Sequence, residues 1–411
     1  MKILEQVFSK IKPIHKRQRD FFMLLVQGLI GAAGKRTFRN LSRYMLITEH
    51  TFSRQMAKTL DFIGINAELI KSARSEKDVL IAAQDASYIS KSGKKTYGLD
   101  YFWNGSASKI DKGLEVDVIA VVKVGEKREA YALSAEQTPA NPIPKSERKK
   151  KKVTDVSKID FCLDHLKKTL SQLVALGIKH IAADAYFAKI KYVAGVVAMG
   201  LHVTSKLRKD ARLRRIYTGK QKSRGRKKRY DNGSVNFEDF KQYPATKIDG
   251  ENIELRSCIA YSVSLKRTIK VVLVRKNINA NKYAEAFLFS TDLELTELQI
   301  YEFYVSRFQI EFIFRDAKGF TGLGDCQSRD PRRINYHFNA SLIALNVARF
   351  QDAELQETKG IRHAFSMTNW ARKYHVDIVI NRFIAMFDLD QTLIKLHPDY
   401  DSLLSFGNVM H

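Results

Sequence analysis

The sequence predicts an α/β fold with helical segments at both ends, and three observations carry that prediction. Apolar strand-like runs alternate with helix-length segments between 79 and 205, period-two alternation fills 206–291, and 1–78 and 292–411 show helical spacing. The expected boundaries are therefore a helical region 1–78, the first part of a core 79–205, a basic loop and β-rich insertion 206–291, the second part of the core 292–350 and a helical tail 351–411.

The opening region carries 15 basic and 7 acidic residues. Its apolar stretch FFMLLVQGLIGAA (21–33) is shorter than the roughly 20 residues of a membrane span and contains Gln27, so it reads as a buried helix. It also begins too late, behind HKRQR, for a signal peptide. Residues 35–58 divide into a helix from Thr37, a turn over Leu46–Thr48 and a second helix bearing Thr51, Ser53, Arg54, Gln55 and Lys58. That is the layout of a helix-turn-helix, although a basic helical hairpin gives the same pattern.

From 79, VLIAAQDASYI, LEVDVIAVVKV and REAYALSAEQT read as strands joined by short turns, an antiparallel meander feeding a partly parallel sheet. The lysine-rich connector NPIPKSERKKKK (141–152) leads to a helix from Ser157 to Leu176. A strand (178–187), a helix to about Met199 and a strand LHVTSKL follow. Residues 206–229 hold 13 Lys or Arg against one acid, Asp210, and open the β-rich block. Helix returns at 295, and GLGDCQSRDPRR separates it from HFNASLIALNVARF, a helix of small and apolar residues. An amphipathic helix over about 366–387 belongs to the tail.

Lys and Arg exceed Asp and Glu by 26 in 411 residues, which makes nucleic acid the leading partner and an anionic membrane surface the rival. The latter lacks a basic amphipathic anchor. Cys162, Cys258 and Cys326 are too scattered for a disulfide framework or a zinc site, and read as buried small hydrophobes in a reducing interior.

Chemistry concentrates in YVSRFQIEFIFRDAK (304–318). At about 100° per residue on one continuous helix, Tyr304, Arg307, Glu311, Arg315 and Lys318 share a narrow edge, while the remaining surface is apolar. Ordinary i, i+4 ion pairs would explain such an edge. A carboxylate ringed by three cations and a phenol also suits a polyanion held near a metal ligand. Asp85 and Asp184 each follow an apolar strand, where an ionised carboxylate needs a partner or a metal. A strand-end turn or helix cap is the alternative for each. Two such strands and Glu311 would form a hard-oxygen site for Mg²⁺ or Mn²⁺, in a two-ion arrangement suited to phosphodiester hydrolysis or transesterification.

The spacing Y-x2-R-x3-E-x6-K, formed by Tyr304, Arg307, Glu311 and Lys318, resembles the signature of a large branch of the DDE transposases of bacterial insertion sequences. DASYISKSGKKTYGLDYFWNGS (85–106), DAYF (184–187) and GLGDCQSRDPRR are similar to that family's first-Asp, second-Asp and post-Glu segments, so the resemblance spans roughly 35–390. It implies an RNase H-like core interrupted by a β insertion. Asp85, Asp184 and Glu311 would bind the metals, and Tyr304, Arg307 and Lys318 would grip phosphates at the transposon terminus. Arg315 joins them from the helical projection alone. Lys91, Lys94, Arg54, Arg208, Arg212 and Arg215 are further candidate DNA contacts, with the 145–152 lysines holding backbone electrostatically.

The implied activity is transposition: binding of inverted-repeat ends, 3′-end cleavage and strand transfer into target DNA. A homodimer on paired ends and a cytoplasmic, nucleoid-associated location are implied with it. A nuclease that cuts without joining and an inactive DNA-binding relative are the alternatives. Some relatives stack a flipped terminal base on a tryptophan of the insertion. Trp103 and Trp370 both lie outside it here, so a Tyr or Phe would have to serve.

Overall fold

The computed structural model describes residues 2–11, 13–141, 156–248, 252–279 and 282–408. Most of the 141–152 connector, including the 145–152 lysines, lies outside the described residues.

Five helices open the chain: α1 (Lys2–Lys10), α2 (Lys16–Gly31), α3 (Phe38–Met45), α4 (Glu49–Gln55) and α5 (Phe62–Ala73). The apolar stretch read as a buried helix is α2, with Phe22, Leu25, Val26, Leu29 and Ile30 fully buried. Among the described residues, no helix is long and apolar enough to cross a membrane. Thr37 and Thr48 cap α3 and α4, each accepting the N–H three residues on. Leu46 takes a left-handed conformation (φ 55°) between them. The second helix of this pair ends at Gln55, which is buried, so it is shorter than expected and Lys58 falls beyond it.

The strands are β1 (Val79–Ser90), β2 (Asp100–Asn104), β3 (Lys109–Val124), β4 (Glu129–Gln137), β5 (His180–Ala183) and β6 (His202–Leu207). Helices α6 (Val156–Ala175) and α7 (Ile190–Ala198) complete this part. The meander is present: β3 runs antiparallel to both β1 and β4. Parallel pairing follows, β5 on β1 and β6 on β5. Strand β2, absent from the sequence reading, pairs with the first residues of β3. The strand expected over 178–187 is cut to four residues because Asp184 caps a 3₁₀ turn, Ala185–Phe187.

Strands β7 (Leu213–Ile216), β8 (Tyr230–Ser234), β9 (Thr246–Ile248), β10 (Ile253–Ser262), β11 (Arg267–Asn279) and β12 (Lys282–Ser290) make the β-rich block. They extend the core sheet through antiparallel pairing of β12 with β6, giving one 12-stranded sheet. Helices α8 (Glu297–Ser306), α9 (Gln309–Phe320), α10 (Pro331–Lys359), α11 (Met367–Met386), α12 (Gln391–Leu396) and α13 (Tyr400–Leu404) finish the chain.

Side-chain alternation along β3 divides the core. Val116, Val118, Ala120 and Val122 join the layer containing α2, α9 and α10, whereas Ile119 and Val121 join the layer containing α6 and α7. The three cysteines are free and buried, as their scatter implied.

Candidate active site

Parallel pairing of β1 with β5 runs from Ala82↔Ile181 to Gln84↔Ala183 and stops there. Asp85 and Asp184 are the next residues of the two strands, so both carboxylates emerge where the parallel ladder ends. The carboxyl ends of parallel strands are where α/β sheets hold ligands. Asp184 is also a cap: its Oδ1 accepts the Tyr186 N–H at 2.8 Å, and its carbonyl accepts Ser205 Oγ at 2.8 Å. The strand-end cap read as the alternative for this residue is therefore present.

The helix expected over 304–318 is two helices, a correction to the sequence reading. At Arg307 and Phe308 the backbone stays right-handed, yet Phe308, Ile310 and Glu311 donate their N–H groups three residues back instead of four. This tightened turn starts α9 at Gln309 and places Glu311 in its first turn, where the helix dipole favours an anion. Arg307 bridges the carboxylates, with Nη1 3.2 Å from Asp85 Oδ2 and Nη2 3.7 Å from Glu311 Oε1. The Tyr304 ring lies 5.7 Å from the guanidinium. Lys318 Nζ donates to Ser87 Oγ at 2.8 Å, two residues along β1 from Asp85.

Arg315 does not join this group. It is exposed, pairs with the neighbouring Asp316 at 2.8 Å and lies over the Phe312 ring, so its side chain turns away from Glu311 although both stand on α9. Lys91 is half-buried and its ammonium donates to the carbonyls of Gly324 and Cys326 at 2.6 and 2.7 Å. It lines a cavity of about 490 Å³ with Lys35, Lys94, Lys95, Arg329 and Asp325. Lys35, Lys95 and Arg329 were missed as candidates, although Lys95 lies in the first-Asp segment and Arg329 in the post-Glu segment. Ser87 was missed too; its place two residues from Asp85, on the same strand face, was the available signal.

Arg54 is exposed on α4. Arg208 pairs bidentately with Asp210, Arg215 meets Asp239 at 2.7 Å, and Arg212 is exposed; all three stand in the insertion.

Burial pushes the Asp85 carboxyl up to about 7; Arg307 opposes the shift, and Asp184 and Glu311 add to it. A group of this kind binds its proton more tightly folded than unfolded. Its contribution to stability is therefore full below about pH 4 and is lost as pH rises through about 7. Without divalent ions, Asp85→Asn is expected to raise the melting temperature at pH 8 and leave it unchanged near pH 4. A fall at pH 8 in a calorimetric scan would show that Arg307 outweighs the burial.

Among the described residues, no three carboxylate, imidazole or thiolate side chains are gathered closely enough to hold a metal as they stand. The donor set still fits a hard cation. It is all oxygen and mutually repelling, and a guanidinium now supplies the positive charge between Asp85 and Glu311. Residues 148–347 match the family model described as a transposase DDE domain. The match takes in Asp184 and Glu311 and begins after Asp85. No curated protein matches the chain.

Proposed function

The chain carries a transposase DDE domain of the insertion-sequence type, and from that premise we propose that it binds terminal inverted repeats, cuts their 3′ ends and joins the freed 3′ hydroxyls to target DNA. The observation that carries this reading is the emergence of Asp85 and Asp184 at the end of one parallel ladder, with Glu311 tied to Asp85 through Arg307. The order β4–β3–β1–β5–β6, three strands antiparallel and then two parallel, supports an RNase H-like core.

Asp85, Asp184 and Glu311 would hold Mg²⁺ or Mn²⁺ as a pair of ions. Bound there, divalent ions supply activation of the attacking hydroxyl and stabilisation of the leaving oxygen. Arg307, Lys318 and Tyr304 would orient the terminal phosphates, with Arg307 exchanging its carboxylate partners for the DNA backbone. Arg315, Lys91 and Lys94 would take phosphates farther from the cut, and Arg54 on α4 would face the repeat. Exposed Tyr230, stacked on Tyr261, and Tyr283, with Arg275 over its ring, are the aromatic candidates in the insertion where some relatives use tryptophan. Exposed Phe383, Met386 and Phe387 at the end of α11 and Leu393 and Leu396 on α12 support pairing of two copies on paired ends. The reaction places the protein with DNA in the bacterial cytoplasm.

The basic run adds a salt-dependent hold. Replacing Lys220, Lys222, Arg224 and Arg226, all exposed, with alanine should weaken binding to any duplex about equally. It should also flatten the dependence of log K on log salt by about 0.9 for each phosphate no longer neutralised. Fluorescence anisotropy across a salt series measures both, and an unchanged slope would remove these residues from the DNA interface.

The proposed activity is tested with the DNA flanking the protein's own gene, incubated with protein and Mg²⁺ or Mn²⁺, with cut positions mapped and joined products sequenced. Cuts at a repeat boundary followed by joining are expected. Cutting without joining would favour the nuclease, and a footprint without cuts would favour the inactive DNA-binding relative.

A further inference from the structure

The two strands that deliver Asp85 and Asp184 share their last backbone pair at Gln84↔Ala183, so the ladder itself does not fix how far apart the carboxylates stand. Strand β5 ends at Ala183, and the chain runs through a 3₁₀ turn into α7. On the face of β1 opposite Asp85, Gln84 is completely buried. Its Oε1 accepts the hydroxyl of Tyr192, in the first turn of α7, at 2.7 Å. Its Nε2 donates to Asp117 Oδ2 at 2.8 Å and to the Cys162 carbonyl at 3.0 Å. His165 Nδ1 lies 2.6 Å from Asp117 Oδ2, and its Nε2 lies 2.9 Å from Ser134 Oγ. This chain of bonds joins β1, β3, β4, α6 and α7 inside an otherwise apolar layer.

Replacing both partners of a buried hydrogen bond by apolar groups of the same shape is often nearly neutral for stability. What they would lack is direction, since a hydrogen bond fixes distance and angle where apolar contact does not. We propose that Gln84 and Tyr192 are positioning residues, a lock behind the sheet that holds the segment leaving Asp184 at a fixed offset from Asp85. The proposal rests on the assignment of Asp85 and Asp184 as the carboxylate pair. Neither Gln84 nor Tyr192 touches the reacting groups; both act through the backbone that carries the carboxylates.

The test separates positioning from stability in the full-length protein. Tyr192→Phe removes one hydroxyl and leaves the Gln84 acceptor unsatisfied, so both melting temperature and divalent-ion affinity should fall. Combining it with Gln84→Met removes that orphaned acceptor but also withdraws the Nε2–H donor from Asp117 and the Cys162 carbonyl, so the melting temperature should recover only in part. Affinity for Mn²⁺, followed by electron paramagnetic resonance of the free ion, should stay about 10- to 100-fold weaker, the range seen when groups that orient metal ligands are lost. If Mn²⁺ affinity recovers with the melting temperature, or never falls, the pair is merely structural and the lock is refuted. Asp85→Asn is the control. If it binds Mn²⁺ as tightly as the parent, the carboxylate assignment has failed and not the lock. If it loses Mn²⁺ while Tyr192→Phe keeps it, the assignment stands and the lock falls.

Discussion

Exchanging Glu311 for Gln is expected to abolish end cleavage while leaving DNA binding almost intact. The two side chains have nearly the same shape, so the first turn of α9 persists, and Glu311 is too exposed for its charge to matter to the core. The anionic oxygen is what the exchange removes. A carboxylate that helps to hold a divalent ion supports several kcal/mol of transition-state stabilisation. Each 1.36 kcal/mol is a factor of ten in rate, which makes the expected loss roughly 10³-fold or more. Single-turnover cleavage with anisotropy on the same duplex measures both quantities. Cleavage within about tenfold of the parent would remove Glu311 from the site. A parallel collapse of binding would instead make it a structural residue.

Arg349→Met is expected to produce the largest loss of stability. Asp316 lies on α9, just over one turn beyond Glu311, and is buried; Arg349 reaches it from α10 at 3.2 Å. Arg349 also donates to the Ala130 carbonyl at 3.0 Å and covers the Phe365 ring. Removing it leaves Asp316 with the exposed Arg315 as its remaining cation, and breaking a buried pair from one side costs about 3–5 kcal/mol. At about 2 °C per kcal/mol the melting temperature should fall by roughly 6–10 °C. Adding Asp316→Leu removes the stranded charge and should restore much of the loss. A drop below about 1 kcal/mol in denaturant titration would mean that Arg315 alone satisfies Asp316.

The apolar runs that became β1, β3 and β4 were legible because each is long and bounded by turn residues. Asp85 and Asp184 stood out as charges ending such runs. What could not be read were effects imposed from a distance. Nothing in FQIEF marks a tightened turn, since it has neither Gly nor Pro, and the turn occurs where Arg307 meets Asp85, 222 residues away in sequence. The Asp316–Arg349 pair joins two helices whose periodicity is satisfied without it. Strand β2 is five residues rich in aromatics beside Gly and Asn, too short to separate from a loop, and it exists because β3 extends far enough to pair with it. The insertion's strands were visible in their alternation, but not their continuity with the core sheet, which depends on β12 returning to β6.

That return has an entropic consequence. Leu207 and Phe287 face each other in the ladder, so the roughly 80 residues between them form a loop whose ends are already closed. Closure entropy grows only with the logarithm of loop length, about 0.6 kcal/mol for each doubling. Lengthening or trimming the exposed tip around 218–229 therefore changes the cost of closing the loop very little. The length of this arm is free to match the distance it must reach, independently of the sheet from which it grows.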